Sequence, residues 1–274
     1  MKESRRKFLK IAGISAIGIG TGSVLNAFAS SAPKVEKAAA DAAPEAEDSK
    51  FKKRPESLKA GHWGMVIDTR KIDEAMAAKI QEVCHRIHNV PSFEGRPDLK
   101  KQELKWIWTS DYKHVFPMQA NPYVSEKLKK APILALCNHC ENPPCVRACP
   151  TKATFQREDG IIMMDFHRCI GCRFCMAACP YGARSFNFRD PKPYIAELDL
   201  MYPHRMKGVV EKCNFCDERL ARGQMPACVE VSKGAIVFGD LEDPNSDVRK
   251  ALKANTTIRR KPSLGTGPSV YYIV

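Results

Sequence analysis

Cysteine is the residue type in this 274-residue chain whose number and spacing could do chemistry. The chain holds twelve cysteines, of which eleven lie between Cys137 and Cys228 while Cys84 stands alone. Thiolates bind zinc and iron-sulfur clusters, and in an oxidising compartment they form disulfides instead. The clustered cysteines therefore indicate either metal centres or a disulfide framework, and their spacing distinguishes the two.

Two runs of four cysteines, each followed by proline, give the strongest signal. The later run has the spacing C-x2-C-x2-C-x3-C-P, which is the run that binds [4Fe-4S] clusters in bacterial ferredoxins. The earlier run has the spacing C-x2-C-x4-C-x3-C-P. In two-cluster ferredoxins the fourth cysteine of a run ligates the neighbouring cluster. This exchange predicts two sets, which are quartet A with Cys137, Cys140, Cys145 and Cys179, and quartet B with Cys169, Cys172, Cys175 and Cys149.

Zinc is the alternative metal, because paired C-x2-C knuckles are also the usual zinc signature. A zinc site needs only two knuckles, and it does not explain the four closely spaced cysteines of the later run or the proline after them. A C-x2-C-H haem attachment motif is absent from the sequence, since Glu141 follows Cys140 and Asp217 follows Cys216. The two runs therefore favour iron-sulfur clusters.

A third group, Cys213, Cys216 and Cys228, is one ligand short of a cluster. Further distinctive stretches are WGMVIDTRK at 63–71, the segment 213–240 and LGTGPSVYYI at 264–273. With these stretches and the two runs, the sequence resembles the periplasmic four-cluster ferredoxin subunits of membrane-bound oxidoreductases, relatives of the iron-sulfur subunits of dimethyl sulfoxide reductase, polysulfide reductase and formate dehydrogenase. Within that family the pattern is most similar to the ferredoxin subunit of the membrane complex associated with dissimilatory sulfite reductase.

The chain departs from this family at four ligand positions. Cysteines that share one cluster in the family fall here on Ile72, Ala75, Ala78 and Ser232, so the resemblance implies that this cluster is missing. The resemblance also implies a third set, quartet C, made of Cys84, Cys213, Cys216 and Cys228, and hence three [4Fe-4S] clusters in all. Alternatively, Cys84 is a buried structural thiol, and the last group then holds zinc or a three-iron cluster.

The elements that position these cysteines are short. Met76, Ile80, Val83 and Ile87 recur at helical spacing after Asp73, a suitable N-cap, which predicts a helix that carries Cys84. Residues 160–165 predict a short strand that returns the chain to the later run. We expect an α+β fold of two tandem bacterial-ferredoxin-like modules, with short strands and helices around the iron-sulfur clusters.

These modules occupy a predicted double domain at 61–240. It contains an insertion at about 93–130 whose Trp106 and Trp108 are expected to pack on the core. Residues 241–274 are expected to form a C-terminal extension that packs on the domain. The seven histidines show no ligand spacing and are expected on the surface or beside ligands.

The N-terminus predicts export. Residues 1–29 combine Arg5 and Arg6, an apolar run and the ending Ala-Phe-Ala, as in a twin-arginine signal peptide. That route exports proteins already folded around a cofactor, so the thiolates are free to bind metal before export. We expect a periplasmic protein, peripheral to the outer face of the cytoplasmic membrane, with a flexible linker at 30–60. The alternative for 1–29 is a retained membrane anchor.

The amino-acid composition and the net charge exclude several classes of protein and of partner. A hydrophobic share of 44% with 27% charged residues excludes a disordered chain and a polytopic membrane protein. The net charge of +13 could suggest nucleic acid binding. Export argues against that, and thiolate-bound clusters would offset much of the charge. We therefore expect no nucleic acid partner.

The function implied by the resemblance is single-electron transfer by a subunit that is not itself an enzyme. Its implied partners, in a hetero-oligomeric complex of anaerobic sulfur metabolism, are an integral membrane quinone-interacting subunit and a c-type cytochrome or other redox or catalytic subunit. The sequence contains no Gly-rich phosphate loop, nucleophile elbow or H-E-x-x-H motif. The alternative from another class is an exported zinc-binding structural module without redox activity.

Overall fold

The computed structural model describes residues 55–274. The predicted signal peptide at 1–29 and the part of the predicted linker at 30–54 lie outside the described residues. The end of that linker, 55–60, contacts the domain: the Leu58 amide donates to the Leu220 carbonyl at 3.0 Å. Leu58 and Ala60 also pack against the core. These last residues of the predicted linker therefore contact the domain, where burial of the apolar Leu58 side chain is favourable.

Short elements make up the described part of the chain. Within residues 55–274 the strands are β1 (Trp63–Asp68), β2 (Ile107–Ser110), β3 (Ile133–Leu136), β4 (Thr154–Gln156), β5 (Ile162–Met164), β6 (Ser185–Phe186), β7 (Val210–Glu211), β8 (Ile236–Asp240), β9 (Thr257–Ile258) and β10 (Val270–Ile273). Over the same residues the α-helices are α1 (Glu74–Ile87), α2 (Tyr112–Val115), α3 (Glu126–Lys130), α4 (Pro144–Arg147), α5 (Phe174–Ala178), α6 (Asp217–Leu220), α7 (Ala227–Val231) and α8 (Asp247–Ala254). Short 3-10 helices cover Thr69–Lys71, Pro97–Gln102, Lys192–Tyr194 and Pro262–Leu264.

A four-stranded sheet in the order β8, β1, β10, β9 is the scaffold. Strand β1 is buried along its whole length, and it pairs antiparallel with β8 and parallel with β10. A strand that has neighbours on both sides and is covered on both faces is mostly apolar, as its sequence WGMVID is. Residues 241–274, expected as an extension that packs on the domain, contribute α8, β9 and β10, so they contact the domain by completing its sheet.

Three antiparallel pairs, β2 with β3, β4 with β5, and β6 with β7, accompany the cysteine runs. The earlier run begins at Cys137, directly after β3, and Cys213 follows β7 closely. The predicted strand at 160–165 corresponds to β5, which pairs with β4 and leads to the later run. Short strands mixed with short helices around the cysteines make an α+β fold, as expected.

Helix α1 forms where the hydrophobic spacing predicts it. The Asp73 carboxylate accepts a hydrogen bond from the Met76 amide at 2.7 Å and caps the first turn. Ala77, Ile80 and Cys84 are its buried residues. The prediction of a capped helix that carries Cys84 is confirmed.

The predicted insertion at about 93–130 folds onto the core. Its strand β2 pairs with β3, Trp106 is buried, and Trp108 packs against the core cluster. The expectation that the two tryptophans pack on the core is confirmed. Among residues 55–274, no helix has the length and apolar character needed to cross a membrane.

Candidate iron-sulfur centres

All twelve cysteines are free thiols in the structure, and eight of them are buried. The half-buried ones are Cys149, Cys169, Cys172 and Cys179. No disulfide framework forms among these cysteines, all of which lie in the described range, so every sulfur is available as a metal ligand.

Quartet A is gathered from separate elements. Cys137 directly follows β3, Cys145 lies in α4, and Cys179 caps the C-terminus of α5. Burial, reinforced by the thiols of Cys137, Cys145 and Cys179, raises the pKa of the Cys140 thiol to about 12. Because charge effects of this kind require proximity, the structure brings the four predicted members of quartet A together.

Quartet B is built around the later run. Cys149, Cys169 and Cys175 pack in one apolar cluster that includes Met164 of β5. Cys172 is half-buried in the loop between Cys169 and Cys175. The structure therefore brings three predicted members into one cluster and places the fourth in the loop that joins two of them.

The loop of quartet B turns tightly at Gly171, whose φ is +69°. A Cβ at this position would collide with the carbonyl oxygen of Gly208. Only glycine combines this φ with so close a backbone approach. Arg173, also with positive φ at +63°, then begins helix α5, which carries Cys175.

Quartet C joins distant segments. Cys84 lies on α1, Cys228 lies on α7, and Cys216 precedes α6 with a left-handed φ of 54°. Burial raises the pKa of the Cys216 thiol far above its usual range, and the thiols of Cys228, Cys84 and Cys213 add to the rise. The structure thus brings Cys84 to the three cysteines of the last group.

Quartet A lies between the other two. Burial raises the pKa of the Cys175 thiol in quartet B, and the Cys145 thiol of quartet A raises it further. Burial likewise raises the pKa of Cys213 in quartet C, with the Cys137 thiol of quartet A as the next cause. Cys145 also packs in one apolar cluster with Cys175, and Cys137 packs in another with Cys213. Quartet A therefore adjoins both of the other sets, and the three form a row in the order B, A, C.

The donor chemistry fits an iron-sulfur cluster at each quartet. Each set offers four sulfurs, the ligands that cluster iron prefers. Burial opposes ionisation of the deeply buried thiols of quartet C in the free protein, as the pKa of about 12 for Cys228, which burial raises, illustrates. Four adjacent thiolates become stable when a metal centre neutralises them.

His88 is a site residue that spacing did not single out. Its Nδ1 lies 3.7 Å from the Cys84 sulfur, and its Nε2 lies 3.1 Å from Glu218 Oε1. Ligand atoms of His88, Cys216 and Glu218 lie within 4.8 Å of one another. Its position four residues after Cys84 on a predicted helix is the signal that could have identified it, and it lies beside a ligand as expected for the histidines.

The resemblance implies ligands of a further cluster at four positions that hold no cysteine here, and the structure shows the surroundings of three of them. Ser232 is buried, where its hydroxyl donates to the Val229 carbonyl at 2.7 Å and accepts from the Ile236 amide at 3.0 Å. Ala75 and Ala78 lie exposed on α1. The structure therefore points these two positions at solvent, away from a buried site.

Comparison with known proteins identifies the class of metal centre as [4Fe-4S]. Two family patterns, both described as 4Fe-4S dicluster domains, match residues 133–193 and 168–237. The Hdr-like menaquinol oxidoreductase iron-sulfur subunit 1 of Archaeoglobus fulgidus is 38% identical over 98% of this chain and 97% of its own length.

Two further relatives share parts of the chain. A polypeptide of the polysulfide reductase of Wolinella succinogenes is 45% identical over 50% of this chain and 64% of its own length. The iron-sulfur cluster-binding subunit of menaquinone reductase from Nitratidesulfovibrio vulgaris is 33% identical over 77% of this chain and 88% of its own length. The chain therefore belongs to the family of [4Fe-4S] iron-sulfur subunits of oxidoreductase complexes, which transfer electrons and leave catalysis to other subunits.

Proposed function

We propose that the protein carries three [4Fe-4S] clusters, held by quartets A, B and C, and relays single electrons along them within a membrane-associated respiratory complex. The observation that supports this proposal is that the twelve thiols are free and that predicted members of each quartet lie near one another. When bound, such clusters accept and release one electron at a time.

The chain supplies both the cysteine ligands and the apolar side chains that exclude water from the cluster sites. Ile162, Met164 and Val210 line quartet B, and Phe215 lies buried between ligands of quartet C. Apolar lining of this kind excludes water and tunes reduction potential. Each proposed cluster has four cysteine ligands, one for each iron, so no iron has an open coordination position for a substrate.

Quartet B is the end of the row nearest to solvent. Cys169 and Cys172 are half-buried, whereas all members of quartet C are buried. Ile170 and Phe174 beside them are 67% and 60% exposed. Exposed apolar side chains around a redox centre support electron exchange with a docked subunit at this end.

The proposed partners are an integral membrane quinone-interacting subunit and a c-type cytochrome or other redox subunit. Relatives named menaquinol oxidoreductase and menaquinone reductase support the quinone link. The relative named polysulfide reductase supports a setting in anaerobic sulfur metabolism.

We also infer a periplasmic location, which Arg5 and Arg6 and the Ala27–Ala29 ending support. Cell fractionation is expected to recover the protein in the periplasm. Replacing both arginines by lysine should retain it in the cytoplasm. Recovery of the unchanged protein in the cytoplasm alone would contradict the inference.

The number of clusters is tested by iron and acid-labile sulfide analysis of anaerobically purified full-length protein. We expect about twelve irons and about twelve sulfides per chain, with an EPR signal after dithionite reduction. About eight irons would contradict a cluster at quartet C. Bound zinc without iron would contradict the proposal and would support the alternative of a structural zinc-binding module.

A further inference from the structure

Arg184 is a buried cation without an acidic partner. The residue is 5% exposed, and no ion pair among residues 55–274 includes it. The similarly buried Arg205 pairs with Glu211 at 2.6 Å. A buried charge is costly unless hydrogen bonds or a counter-charge compensate it. The counter-charge for Arg184 must therefore come from groups other than carboxylates.

The protein supports this guanidinium on one side. Its Nη1 donates to the Thr154 hydroxyl at 2.8 Å and lies 3.8 Å from the Met164 sulfur. Thr154 and Met164 face each other across strands β4 and β5. The second terminal nitrogen, Nη2, is buried and makes no hydrogen bond to another residue. Half of the guanidinium thus remains available to a further acceptor.

The groups on that other side are thiols of two quartets. Burial lowers the pKa of Arg184, but the thiols of Cys145, Cys175 and Cys137 outweigh it, and the net shift is upward. Cys145 and Cys137 belong to quartet A, and Cys175 belongs to quartet B. Cys145, Cys175 and Met164 also pack in the same apolar cluster. Arg184 therefore lies where quartets A and B meet.

We propose that Arg184 is the shared charge partner of quartets A and B and raises the reduction potentials of the clusters they hold. The proposal rests on the proposed function, since it concerns those clusters. Reduction adds one electron, supplied by a redox partner subunit, and hence one negative charge at the quartet. A fixed positive charge nearby favours the more negative state, and arginine keeps its charge because its pKa lies far above neutral.

The test is a redox titration, followed by EPR, of full-length protein purified anaerobically with its clusters. Arg184→Gln removes the charge and keeps a polar side chain. We expect reduction at quartets A and B to become about tenfold less favourable, which lowers their midpoint potentials by about 59 mV. The quartet C signal, from the far side of quartet A, serves as the internal reference and should not move.

Two variants separate charge from packing. Thr154→Val removes a hydrogen-bond acceptor of the guanidinium without changing charge, and it should leave all potentials near those of the unchanged protein. Arg184→Lys keeps a positive charge at the site, so the midpoint potentials of quartets A and B should stay close to those of the unchanged protein. The proposal is overturned if Arg184→Gln leaves the midpoint potentials of quartets A and B unchanged, or if it shifts the potential of quartet C equally.

A further variant decides the matter if Arg184→Gln fails to assemble its clusters. Thr154→Asp places a carboxylate where the hydroxyl now accepts from Nη1, so it neutralises the arginine without removing it. Lower potentials at quartets A and B support the proposal, and unchanged potentials overturn it. Absence of iron from the unchanged protein would instead refute the proposed function, so the two failures are distinguishable.

Discussion

The Nδ1 atom of His88 lies 3.7 Å from the sulfur of Cys84, four residues earlier in the sequence. The same nitrogen is 2.7 Å from the Cys84 carbonyl oxygen, while Nε2 faces Glu218 at 3.1 Å. The imidazole also stacks on Trp106, with ring centroids 4.4 Å apart. His88 thus connects quartet C to helix α6 and to the inserted segment that carries Trp106.

His88→Phe is expected to change the EPR spectrum of the cluster at quartet C and to leave those at quartets A and B unaltered. Phenylalanine keeps the stacked ring but removes the polar contacts around a ligand sulfur, and such contacts tune cluster potentials. His85→Gln is the matched control, since His85 lies three residues earlier, in α1, with its Nε2 at 3.2 Å from the Ile107 carbonyl. Identical spectra for His88→Phe and the unchanged protein would contradict the prediction.

Cys84→Ser is expected to remove one cluster and lower iron from about twelve to about eight per molecule. Serine preserves the size of the side chain, but its hydroxyl is a harder, weaker ligand for cluster iron. Ser232→Ala is the control, because the resemblance implies a ligand at Ser232, whose hydroxyl donates to the Val229 carbonyl and accepts from the Ile236 amide. Unchanged iron in Cys84→Ser would show that Cys84 is a structural thiol.

Adding cysteines at the four positions where the resemblance implies further ligands is expected not to add a cluster. A variant with cysteine at positions 72, 75, 78 and 232 should bind the same iron as the unchanged protein. The physical reason is that Ala75 and Ala78 face solvent on α1, whereas Ser232 is buried. Iron analysis checks this, and a rise to about sixteen irons per molecule would contradict it.

Glu211→Ala is expected to destabilise the protein by about 3–5 kcal/mol. Glu211 pairs with Arg205 at 2.6 Å, both fully buried, and accepts a hydrogen bond from Trp106 Nε1 at 2.6 Å. Its loss leaves the Arg205 charge uncompensated. Guanidinium chloride unfolding of the cluster-loaded protein, followed by circular dichroism, measures the change.

The control for Glu211→Ala is the double variant Arg205→Met with Glu211→Leu. Because the double variant removes both charges, it should lose less stability than Glu211→Ala alone. A double variant that is less stable than the single one would show that packing, not the buried charge, accounts for the effect.

Local patterns could be predicted from the sequence. Helix α1 follows from the Asp73 cap and the apolar spacing, strand β5 follows from a short apolar run, and Trp106 is buried as its size favours. The helix and the strand each depend on residues within a few positions of one another. The grouping of the two full runs likewise follows from a known spacing.

Contacts between distant segments could not be predicted in this way. Strand β10 lies next to β1 in the sheet, Leu58 contacts the carbonyl of Leu220, and Arg184 lies beside thiols of two quartets. No local pattern in the sequence predicts such contacts, since each depends on the folding of the whole chain. A single arginine five residues after a cysteine, as Arg184 is after Cys179, also matches no known motif.

The pairing of β1 with β10 bears on the order of folding. Next to it, the Thr69 hydroxyl donates to the Ile273 carbonyl at 2.8 Å across 204 residues. Contacts that close so long a loop form late, because chain entropy opposes them until other contacts have shortened the loop. All twelve cysteines lie within that span. We therefore expect iron and sulfide to enter the cysteine loops before the sheet is complete, so that cluster assembly is a step in folding and not an addition to a finished protein.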